Sequence, residues 1–199
     1  MCGTAGVTQK EPRAFRLPAM AADAAAGGLL IVLGAWWALF AVEHARVKPD
    51  VYYLSAAVGV ATGRGFVAPR PAPGSALDRF LSSGSTTLAW ADATAPAWEK
   101  PDQYIQANRF LIHTIGLVWR VTGISWDAVG QVAAALHVLL VIGAYMLARL
   151  FLPLPFALGG ALWIAASSLN LRLLPHLRDY SKGAFIIAIL PLVVVLALR

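Results

Sequence analysis

Charge is what this sequence has least of. Asp, Glu, Lys and Arg make up 13% of its 199 residues, against about 25% in an ordinary water-facing domain. Hydrophobic residues reach 59% and mean hydropathy is +0.67, so lipid must cover much of the chain. Cysteine is nearly absent. The single Cys2 excludes an intramolecular disulfide and a cysteine-based metal cluster, and without an apolar leader before it, it makes no lipidation box. The four histidines, His44, His113, His137 and His176, do not fall at the His-Glu-x-x-His spacing of a metal site, and no metal ligands are assigned. There is no P-loop, dinucleotide fingerprint, nucleophile elbow or internal repeat. Acids are fewer than bases, ten against sixteen, for a net charge of +6. The bases flank apolar runs and are not interleaved with aromatics, so no nucleic-acid partner is expected.

What the chain does have is long apolar runs. Residues 24–42 are nineteen without a charge, enough to cross a hydrocarbon core of about 30 Å. Trp36, Trp37 and Phe40 crowd the far end of that run, as an interfacial aromatic belt would. The run is too long for a signal-peptide core and lacks a clear cleavage pattern, so it reads as a retained anchor. Lys10, Arg13 and Arg16 precede it, which places residues 1–23 in the cytoplasm by the positive-inside rule. Further spans are expected at 128–148, 152–171 and 183–198, with Pro153 and Pro155 in the turn between the second and third. Segments 43–126 and 172–182 then form external loops. The expected fold is all-α: a polytopic transmembrane helical protein with about four spans, in the cytoplasmic (inner) membrane with its N-terminus inside. The last run reaches Arg199 after only sixteen residues, so the chain is expected to be the N-terminal portion of a longer protein.

The long loop carries its own pattern. Residues 50–63 read as an amphipathic juxtamembrane helix with Val51, Leu54, Val58 and Ala61 on one face, ended by Gly63-Arg64-Gly65. Pro69, Pro71, Pro73 and Gly74 predict an irregular loop, followed by a short helix at 77–81 and a flexible stretch at 82–87. Residues 110–119 are apolar, but only ten residues separate Arg109 from Arg120, too few to span. An interfacial helix with snorkelling arginines is the physical alternative.

Two acids follow spans on the same side, Asp50 and Asp179. Each can be a solvated loop charge or a helix cap. Their neighbours suggest more: Glu43, His44, Arg46 and Lys48 precede Asp50, while His176, Arg178 and Lys182 surround Asp179. Carboxylates beside cations at a membrane surface suit deprotonation of an acceptor while a departing phosphate is neutralised. Arg109, Arg178 and Lys182 are candidate phosphate partners by charge, with lipid-headgroup contact as the alternative for each. His137, inside a span, reads as a neutral imidazole bonded to a neighbouring helix.

In order, Pro49-Asp50, Tyr53, Gly65, Glu99-Lys100-Pro101, the segment 110–123 and Asp179 before Phe185 resemble the first part of GT-C class glycosyltransferases. The likeness is to the aminoarabinose transferase and protein O-mannosyltransferase (dolichyl-phosphate-mannose-type) group, over roughly residues 25–199. It implies sugar transfer from a polyprenyl-phosphate donor to a lipid, glycan or protein acceptor outside the membrane. It implies Asp50 as general base, Lys100 as a ligand of the donor phosphate and Asp179 as support from the second loop. Val51 departs from the pattern, since many members carry a second acid there. A divalent metal is compatible with such a site and not required by the sequence. The alternatives are a non-catalytic membrane subunit and a transporter-like protein.

Overall fold

The computed structural model describes residues 17–44, 51–95 and 97–198, and the fold is all-α. Among the described residues, three helices are long and apolar enough to cross a membrane: α1 (Leu17–His44), α6 (Trp126–Arg149) and α9 (Leu177–Ala197). Large apolar side chains cover their outer faces, among them Val32, Trp36, Phe185, Ile186 and Leu196. In water such a patch would be an aggregation surface; in lipid it is a favourable one. The chain is an integral membrane protein.

The packing fixes the directions of the helices. Gly130 of α6 lies against Val42 of α1, Gly34 against Val138, and Arg149 bonds Asp23, so α1 and α6 run antiparallel. His137 of α6 bonds Tyr180 of α9, and Gly143 meets the backbone of Ala188, so α6 and α9 run parallel. A return passage has to join them. It is made of two helices, α7 (Leu154–Ala166) and α8 (Ser168–Leu173).

This corrects the continuous span expected at 152–171. α7 has 13 residues, about 20 Å at 1.5 Å per residue, short of a core of about 30 Å. The helix stops because Ser167 takes an extended conformation (φ −61°, ψ 120°). The carbonyls at the break are satisfied within the protein. Ile164 O accepts from Ser167 N at 3.2 Å and from Asn170 Nδ2 at 3.1 Å, and His137 Nε2 lies 3.1 Å from Ala165 O. Backbone that leaves the helix at membrane depth needs this kind of internal satisfaction. The last span is also longer than expected. It begins at Leu177, so much of the presumed loop 172–182 is helical.

Between α1 and α6 the chain builds a compact domain. Its centre is α2 (Val51–Ala61), where Leu54, Ala56, Ala57 and Val58 are fully buried. The amphipathic helix expected there is instead enclosed on successive faces, because its small residues let other elements approach. Gly116 of α5 (Arg109–Thr122) packs so tightly on α2 that a Cβ there would lie 2.6 Å from Val60 Cβ. On the other side, a Cβ at Gly59 would lie 2.3 Å from Val67 O.

The segment expected to be irregular contains β1 (Ala68–Arg70), after which come the short α3 (Ala76–Leu81) and β2 (Thr87–Leu88). β1 pairs antiparallel with β3 (Ala97–Glu99), Ala68 opposite Glu99 and Arg70 opposite Ala97. β2 pairs with β4 (Ile124–Ser125), just before α6. Phe80, Trp119 and Trp126 close the core, the first and last stacked at 4.9 Å and Trp119 edge-on to both. Ser125 caps α6 by accepting from Ala128 N at 3.2 Å. The domain is thereby tied directly to the start of a span.

Candidate phosphate-binding cleft

Strand β3 delivers Lys100 to the edge of the domain, and Pro101 ends the strand. Asp102 then caps the short α4 (Gln103–Ala107), accepting from Ile105 N at 2.8 Å. The chain turns back on itself: Gln106 Nε2 donates to Pro101 O at 2.7 Å, and Asn108 Nδ2 to Tyr104 O at 3.0 Å. Arg109 follows as the first residue of α5. Lys100, Pro101, Gln106, Arg109 and Phe66 consequently line one cleft of about 260 Å³.

Two cations face this space. Among the described residues neither has a carboxylate partner. The neighbouring acid is otherwise engaged, since Glu99 Oε1 accepts from Arg70 Nη1 at 2.9 Å across the β1–β3 pair. Phe66 gives the cleft an apolar wall and is itself stacked on His113 at 5.0 Å. His113 Nδ1 lies 2.7 Å from Arg109 O. A carbonyl can only accept, so the proton is on Nδ1 and Nε2 is left available. An ammonium, a guanidinium and an amide around an apolar wall are suited to a phosphate carried on a hydrophobic chain.

The other expected site residues lie elsewhere. Asp50 is outside the described residues. Asp179 occupies the first turn of α9, an acid where the helix dipole favours one. It is gripped by its neighbour: Arg178 Nε and Nη2 donate to its two oxygens at 3.1 and 2.8 Å, and Lys182 Nζ stands 3.9 Å away. Arg178 Nη1 also donates to the Tyr104 hydroxyl. Three of the five guanidinium N–H groups are thus committed within the protein, and two remain. Tyr104 and Gln106 are two residues apart on α4, so this helix is the strut between the ion cluster and the cleft. Lys100 and Arg109 come together; Asp179, Arg178 and Lys182 form a separate group.

Phe66, Tyr104, Gln106 and His113 were not singled out from the sequence for this cleft. A signal existed in Pro101-Asp102, a strand stop followed by a helix cap, which turns the chain and gathers what flanks it. Among the described residues, no three His, Cys, Asp or Glu side chains converge as a metal-binding set.

Neither a family model, a curated protein nor a solved structure is similar to this chain.

Proposed function

We infer that this membrane protein serves sugar transfer from a polyprenyl-phosphate donor to an acceptor on the external face of the cytoplasmic membrane, with its N-terminus inside. The observation that carries the reading is the cleft in which Lys100 and Arg109 meet without a carboxylate partner among the described residues. In the proposed step the Asp50 carboxylate takes the proton of an acceptor hydroxyl or amine. The acceptor atom bonds to the anomeric carbon from the face opposite the phosphate. The bond from that carbon to the phosphate oxygen breaks, inverting the centre, and both electrons leave with the oxygen. Lys100 and Arg109 balance the charge on the departing lipid phosphate, and the Asp179–Arg178 pair holds α4 in place behind them. The acceptor is a lipid, glycan or protein.

The test is transfer from a polyprenyl-phosphate sugar by the full-length protein in membranes. Lys100→Gln and Arg109→Gln should each lower kcat/KM by about tenfold or more, the scale of one lost charge-assisted contact. Asp50→Asn should abolish turnover while leaving donor binding intact. Undiminished transfer in all three variants at normal expression would discard the reading.

One observation favours a transporter-like alternative. The α7–α8 passage is broken within the bundle, and a histidine of another span meets the break, a construction that transporters use at binding sites. Solute or proton flux in proteoliposomes that disappears with Asn170→Leu would move the assignment there.

A further inference from the structure

A second basic cleft lies toward the other end of α5. It measures about 380 Å³ and is lined by Thr62, Arg64, Trp90, Thr94 and Arg120 among others. Arg109 and Arg120 are eleven residues apart, about 16 Å along a helix, so the two clefts are separate. Both arginines here are exposed, and neither has a carboxylate partner among the described residues. Arg64 is steadied sideways, its guanidinium carbon 4.9 Å from the centre of the Trp98 ring, which leaves its edge N–H groups to face a ligand. Two like charges in one concavity concentrate positive potential and call for an anion. A carboxylate has two oxygens and satisfies one guanidinium fork. A phosphate has enough oxygens to serve two forks at once.

The location indicates what carries the phosphate. β2, just before Trp90, pairs with β4, just before Trp126, where α6 begins. The cleft therefore stands over the entry of a span into lipid. Trp90 is 47% exposed on its rim, and an indole suits the boundary where headgroups meet acyl chains. We propose that Arg64 and Arg120 form a second phosphate-binding site, independent of Lys100, which holds the phosphate headgroup of an anionic amphiphile at the membrane boundary.

The experiment uses the full chain in zwitterionic nanodiscs, with Lys100→Gln and Arg109→Gln present throughout so that the first cleft does not contribute. Binding of short-chain phosphatidic acid and of inorganic phosphate is measured by calorimetry. Phosphatidic acid should bind more tightly than inorganic phosphate, and Arg64→Gln with Arg120→Gln should weaken it by about tenfold or more. Arg64→Lys with Arg120→Lys, which keeps the charge and removes the forks, should fall between. If the glutamine pair leaves binding unchanged, the site is wrong. If inorganic phosphate binds as tightly as the lipid, the amphiphile assignment is overturned.

Discussion

His137 is held by two partners. The Ala165 carbonyl can only accept, so Nε2 carries a proton, and Nδ1 lies 2.6 Å from the Tyr180 hydroxyl, which can donate or accept. The imidazole joins three helices, α6, α7 and α9. His137→Leu would leave a buried hydroxyl and a helix-terminal carbonyl without partners, at a cost of about 1–3 kcal/mol. Adding Tyr180→Phe should then cost less than the sum of the two single changes, because one orphaned group is gone. Unfolding in mixed micelles measures both, and strict additivity would contradict the pairing. The bond to a neighbouring helix was legible in the sequence, from the expense of an ionisable group inside a span. Its partners were not, because nothing local marks Ala165 as the end of a helix. At the C-terminal end of α6, Asp23 accepts from Arg149 Nε at 2.7 Å and from the Tyr145 hydroxyl at 2.5 Å. Asp23→Ala should loosen the α1–α6 contact by about 1–3 kcal/mol, with Arg149→Met restoring part of it on the same measurement.

Between elements, glycine decides how closely helices approach. A Cβ at Gly143 would fall 2.8 Å from Ala188 Cα, against fixed backbone, whereas Gly159 and Gly160 have nothing within 4 Å. Gly143→Val should therefore force α6 and α9 apart at a cost of about 1–3 kcal/mol or more. Gly159→Ala and Gly160→Ala should be neutral or stabilising by up to about 1 kcal/mol from helix propensity. Equal effects at the three positions would mean that the close approach is wrong. The apolar runs announced α1, α6 and α9 correctly, because length and absence of charge suffice for a span. The face of Val51, Leu54, Val58 and Ala61 marks α2 as a surface helix, and the small residues Ala56, Ala57 and Gly59 give no signal in the sequence that other elements close over them as well. The strand pairs were invisible since each has only two or three residues and depends on partners far along the chain.

For the molecule as a whole, the antiparallel and parallel contacts put the domain of residues 51–125 and the turn after α6 at opposite ends of the bundle. The single cysteine, Cys2, makes this testable in a Cys2→Ser background. Cysteines at Arg70 and Leu152 should react with an impermeant maleimide from opposite sides of the membrane. Cysteines at Ile186 and Leu196, which face outward on α9, should react from neither. Labelling of Arg70→Cys and Leu152→Cys from the same side would undo the topology. The sequence located the cations of the candidate site more readily than their arrangement. Arg109 stands out as a charge beside an apolar segment and Lys100 through the resemblance carried by Glu99-Lys100-Pro101, but only the turn through Pro101 and α4 brings them to one cleft.

The interrupted passage also bears on how the protein is made. α7 alone is too short to be recognised as a crossing, and the Ala165 carbonyl at its end depends on His137, a residue synthesised earlier. Such a segment has little reason to leave the insertion machinery by itself. It should enter lipid together with α6 as a preformed hairpin, closed at the turn by Arg149 Nη1 donating to Leu152 O at 2.8 Å. Stalled nascent chains would then show α6 waiting for α7–α8, and the order of synthesis would differ from the order of integration.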